Sequence, residues 1–226
     1  MALDFSDKPN EKSQKKSLFS DTVGIGRPLT DRANKLITPE DYLRSGNKDL
    51  IKQALDIISN DRKTHYYPIL LELLPITSEL RKDIIITLTD LGMVTAMPNI
   101  LEYAFDENAE TRKAVCYAAS QLLITKSISI MNNKLYDDDE KVRFAALHAL
   151  EALGLKFGFK SVAEHLLNAL KEDRLFKEAL RELLVLNDGS FDKEELKKIN
   201  TATKDEKNAM IEKLLKYLKD PKPDPY

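Results

Sequence analysis

The sequence predicts an all-α fold, an α–α superhelix in which helical hairpins of about 31 residues stack side by side. Three observations predict it. Arg81, Arg112, Arg143 and Arg174 recur at intervals of 31 residues, each inside a segment of similar pattern. Those segments place apolar residues on one face of a 3.6-residue period, as Val142, Ala145, Ala146, Ala149, Leu150 and Leu153 do around the third arginine. The composition favours helix: Glu, Lys, Leu and Ala are abundant, only seven glycines occur, and no long β-branched alternating segment stands out.

Residues 1–38 come first and differ from the rest. Ser, Lys, Asp and Asn dominate there, and GIGRPLTDR carries two glycines and a proline. This stretch reads as a disordered or loosely attached tail. A sharper alternative makes Leu18, Phe19, Val23, Ile25 and Leu29 a docking segment for a partner or for the chain's own repeats. The repeat array is expected over residues 39–219. PEDYLRSG (Pro39 to Gly46) forms a short capping helix, and DLIKQALDIIS (Asp49 to Ser59) fits the apolar pattern without the arginine. Four arginine-bearing helices follow, each with a leucine ten positions on: Leu91, Leu122, Leu153 and Leu184.

Between them lie HYYPILLELL, AMPNILEYAF, SISIMNNKL and KSVAEHLLNAL, so each unit is a helix A followed by a helix B. The turns are short and acidic: Asp106-Glu107-Asn108 and Asp137-Asp138-Asp139. Asp and Asn there can accept hydrogen bonds from the free N–H groups of the next helix. Gly92 and Gly154 are expected to take left-handed positions after B helices. NAMIEKLLKYL (Asn208 to Leu218) makes an atypical last unit, as a polar end cap requires. Residues 220–226 hold Pro221, Pro223 and Pro225 and read as a tail.

An A helix with an early proline (Pro68, Pro98), an acidic turn, then a B helix of the form xVRxAAxxAL resembles the HEAT-like repeat. The unit length is most similar to the short repeats named after phycobilisome lyases. The resemblance covers about residues 48–187, more weakly to 219. It implies a right-handed solenoid and a structural ladder between adjacent repeats drawn from Arg81, Asp106, Arg112, Asp137, Arg143 and Arg174, in which Asp106 and Asp137 pair with Arg112, Arg143 or a neighbouring arginine. The chain departs from the pattern at Pro75 and Asn168, where the turn aspartate is missing, and in the larger side chains of its last units.

Composition narrows the function. The formal net charge of -2 gives no support to a nucleic-acid binder, which usually carries a basic excess. The single cysteine, Cys116, cannot form an internal disulfide, and no apolar run approaches membrane-spanning length. A soluble cytoplasmic protein with no membrane association is expected. His65, His148 and His165 lie in no metal-binding motif, and phosphate-loop, dinucleotide and nucleophile-elbow signatures are absent. No catalytic residue, metal or cofactor is therefore called. The acidic run Asp137 to Glu140 reads as the first turn of a helix rather than a cation loop.

The expected function is that of a non-catalytic scaffold or adaptor binding a protein or peptide through the concave face of the B helices. The alternatives are a lyase-like or enzyme-accessory protein with a small molecule in the groove, and a nucleic-acid binder. Reading equivalent positions across repeats places Ile85, Ile86, Cys116, Tyr117, Phe144, Leu147 and His148 near that groove. A helix phase rotated by about 20–40° would instead bury some of them between A and B helices.

Overall fold

The computed structural model describes residues 29–30 and 36–219. Expectations for residues 1–28, 31–35 and 220–226 fall outside the described residues. Before Pro39, β1 (Leu29–Thr30) and β2 (Leu36–Ile37) pair antiparallel, Leu29 opposite Ile37 and Thr30 opposite Leu36. From Pro39 to Lys219 the chain is helical. The elements are α1 (Pro39–Leu43), α2 (Lys48–Asn60), α3 (Tyr67–Ile76), α4 (Arg81–Asp90), α5 (Met97–Leu101) and α6 (Ala109–Leu122). They continue with α7 (Ser127–Lys134), α8 (Glu140–Phe157), α9 (Ala163–Ala169), α10 (Phe176–Leu186), α11 (Lys193–Ile199) and α12 (Lys204–Lys219). No helix among the described residues is long and apolar enough to cross a membrane.

Local sequence sets the boundaries. Asn47 caps α2 by accepting from the N–H groups of Asp49 and Leu50. Asn108 and Asp139 do the same for α6 and α8. Each cap satisfies donors that the first turn leaves free, worth about 1 kcal/mol. Pro68 and Pro98 sit at the starts of α3 and α5, where a missing N–H costs nothing. The A segments are short and tighten into 3-10 turns, as at Glu102–Phe105 after α5.

The long helices α2, α4, α6, α8 and α10 lie in a row, each against the next. Each of α4, α6, α8 and α10 also rests on the short helical segment just before it: α3, α5 with Glu102–Phe105, α7 and α9. Their buried faces merge into one core running from Leu43 to Leu215. Alanine permits close packing: Ala114, Ala118 and Ala119 of α6 and Ala146 and Ala149 of α8 are all buried, and α6 and α8 lie against each other. Every leucine or isoleucine fully removed from water adds roughly 2 kcal/mol.

Gly92 takes the expected left-handed conformation, at φ 69°. Gly154 does not end its helix. α8 runs on to Phe157, and the positive φ of 92° falls on Gly158. Gly154 is buried because α8 and its neighbours approach too closely there for a side chain. A Cβ on it would lie 2.7 Å from Val162 Cγ2 and 2.9 Å from Leu186 Cδ1.

Candidate functional site

The recurring arginines meet the acidic turns in a repeated geometry. Arg81 pairs with Asp106, and Arg112 makes a two-pronged contact with Asp137, Nε at 2.9 Å and Nη2 at 2.7 Å. Each aspartate thus takes the arginine of the preceding unit, 25 residues earlier. The arginine of the aspartate's own unit turns to backbone instead. Arg112 Nη1 donates to the carbonyls of Asp106 and Glu107, and Arg143 Nη1 to those of Asp137 and Asp138. The aspartate's other role is local: Asp106 accepts from the N–H of Asn108 and Asp137 from that of Asp139.

Asp137 is buried and also accepts from Lys134 at 3.0 Å. Burial pushes its carboxyl up, but the bonds from Arg112, Lys134 and the Asp139 N–H outweigh that and hold it down at about 2. The regularity ends at the fourth unit. Arg143 is buried with its Nε unpartnered, and Arg174 is exposed, so neither continues the arginine–aspartate pairing seen for Arg81 and Arg112.

On another side of the row, α4, α6 and α8 line an open cleft of about 570 Å³. Its apolar floor holds Ile86, Ala114, Tyr117 and Ala145, with His148 at one end and Lys82, Lys113, Asp90 and Glu110 around it. Ile86, Tyr117 and His148 stand one repeat apart on three successive helices. Tyr117 is 41% exposed, and its Oη donates to Asp90 Oδ1 at 3.1 Å. Burial and the neighbouring Asp90 carboxylate raise the phenol above its ordinary value. Ser59 of α2 donates to the other oxygen of Asp90 at 3.4 Å, so the carboxylate ties three helices at the cleft wall.

The seven residues expected at the groove divide. Ile86, Tyr117 and His148 line the cleft, and Phe144 is half-buried outside its lining. Ile85, Cys116 and Leu147 are core residues, exposed by 0, 0 and 2%. That corrects the expectation for these three. All of them lie four positions after the arginine, on the side where each B helix meets its neighbours. Burial pushes the Cys116 thiol up to about 12, which leaves it inert as a nucleophile.

A second group of side chains gathers at the α8–α10 contact. His148 Nδ1 lies 3.4 Å from Glu151 Oε2, and Glu182 of α10 completes a set whose ligand atoms all fall within 4.8 Å of one another. Glu182 is 1% exposed. Its carboxyl is raised above the ordinary range by burial, pulled back by Arg181 and raised again by Glu151. No single stretch of sequence contains this set, because Glu182 comes from the next repeat. The only signal for it was the shared register of Glu151 and Glu182, 31 residues apart.

No protein-family model matches the chain, and no curated protein matches its sequence.

Proposed function

We propose that this chain is a non-catalytic scaffold or adaptor of the HEAT-like kind, a right-handed α–α superhelix that binds a peptide segment of a partner protein in the α4–α6–α8 cleft. The observation that carries the reading is the cleft itself. It presents a half-exposed tyrosine and an isoleucine at its floor between two lysines and two carboxylates. A rigid aromatic with a polar tip is a common anchor at binding hot spots. The mixed charges at the rim match a peptide carrying an apolar anchor flanked by both signs, and fit a phosphate backbone poorly. The superhelical reading is supported by the row of α2, α4, α6, α8 and α10 and by the two arginine–aspartate pairs at equal spacing. A cytoplasmic setting belongs to the same proposal, supported by the lone buried thiol of Cys116.

The test is selection of a random-peptide display library on the full chain and on a chain carrying Ile86→Ser and Tyr117→Ser. Enrichment by the parent alone, with closely similar melting temperatures, supports the reading. No enrichment, or enrichment that survives both substitutions, overturns it.

A further inference from the structure

We propose that His148, Glu151 and Glu182 form a binding site for a divalent transition-metal cation of the Zn²⁺ class, at the edge of the α4–α6–α8 cleft. The site stands independently of the peptide reading, since its ligands lie on α8 and α10 and only His148 also lines the cleft.

The geometry comes from the repeat. His148 and Glu151 are three residues apart on α8 and so share a face. Their ligand atoms are 3.4 Å apart. Two donors about 2.0–2.2 Å from a tetrahedral ion stand roughly 3.3–3.6 Å from each other, so this pair already spans one edge of a coordination polyhedron. Glu182 occupies on α10 the register that Glu151 occupies on α8, and the two helices pack together. That places a second carboxylate against the first, with every ligand atom within 4.8 Å.

Electrostatics give the cluster a reason to take a cation. Two carboxylates at equivalent positions of adjacent helices repel each other, and one of them is removed from water. Arg181 relieves this in part. Both of its hydrogen bonds end on Glu182 Oε1, at 3.2 and 2.6 Å, and its own side chain is 62% exposed. The donor set also selects the ion. One imidazole nitrogen and two carboxylates suit Zn²⁺, Co²⁺ or Ni²⁺, whereas Ca²⁺ wants six to eight oxygens. The imidazole side chain is 63% exposed, so an ion can enter from solvent and keep a position for water or for a partner's side chain.

The test uses the full chain freed of metal with a chelator. Zn²⁺ alone is titrated calorimetrically, and Co²⁺ alone by its visible absorption, into the parent and into His148→Ala, Glu151→Gln and Glu182→Gln. One saturable equivalent in the parent is expected. Outer partners of metal ligands are worth about 10–100-fold in affinity, so loss of a direct ligand should weaken binding by at least that much. Glu182→Gln keeps an acceptor for Arg181; if it fails to fold, the solvent-accessible His148→Ala and half-buried Glu151→Gln carry the same reading. A parent that takes up no metal saturably overturns the proposal. So does uptake that none of the folded variants weakens, which would assign the ion to His65 or His165.

Discussion

Asp137→Asn should unfold the chain more easily than any surface change, and its cost can be worked from the contacts. The carboxylate receives Arg112 twice, Lys134 once and the N–H of Asp139. The side chains of Arg112 and Lys134 are 14 and 7% exposed, so water cannot replace the lost charge fully. The amide keeps one acceptor but strands two cations beside each other. Breaking a buried ion pair by removing one partner costs about 3–5 kcal/mol, and the retained acceptor puts this substitution near 3 kcal/mol.

For a chain of this size that is a fall of roughly 6–12 °C in melting temperature, at about 2–4 °C per kcal/mol. Acid titration acts on the same contacts. The carboxyl titrates at about 2 in the fold against 3.8 ordinarily. At about 1.4 kcal/mol per pH unit, that difference contributes roughly 2 kcal/mol at neutral pH. Because the folded value is the lower one, the contribution is complete above pH 3.8 and disappears as pH falls through 2. Urea denaturation followed by far-UV circular dichroism, for parent and variant between pH 7 and pH 2, measures both effects. A variant within about 0.5 kcal/mol of the parent at pH 7, or a gap that stays constant down to pH 2, would refute the reasoning.

Gly154→Ala should destabilise by about 1–3 kcal/mol although alanine is the better helix former, because its methyl would collide with Val162 and Leu186; thermal melting reads this, and a stabilised variant contradicts it. Cys116 should resist a colorimetric thiol reagent in the native chain and react at once in urea; prompt labelling without denaturant would show that the α6 face opens. Asp139→Ala should cost about 1 kcal/mol through loss of the cap on α8, read as a lower urea midpoint with the slope unchanged. Tyr117→Ser should change stability by less than about 1 kcal/mol, since the ring is 41% exposed; a larger loss would make it a core residue rather than a cleft anchor.

Local chemistry was legible wherever one residue and its near neighbours decide the outcome. Asn108 and Asp139 cap helices, Pro68 and Pro98 open them, and Gly92 adopts the left-handed bend. The all-α class follows from composition and the 3.6-residue period, and these depend on backbone hydrogen bonding within a turn or two. The arginine interval was visible as well, but its partner was ambiguous. An ion pair across 25 residues is settled by how the helices pack, and the packing gives each aspartate to the preceding arginine.

The sequence by itself determined which segments are helices, where most of them begin, and which register repeats. Tertiary structure decided which positions in that register are open. A helix on the surface of a globule hides one stripe. The B helices here hide a wider arc, since α8 touches α6, α7 and α10 together. That wider arc takes Ile85, Cys116 and Leu147 into the core and leaves Ile86, Tyr117 and His148 at the cleft, one residue and about 100° further round each helix. The same packing brings Glu182 to His148 and Glu151. Period and propensity describe a helix turning on itself, whereas exposure is a property of what its neighbours cover.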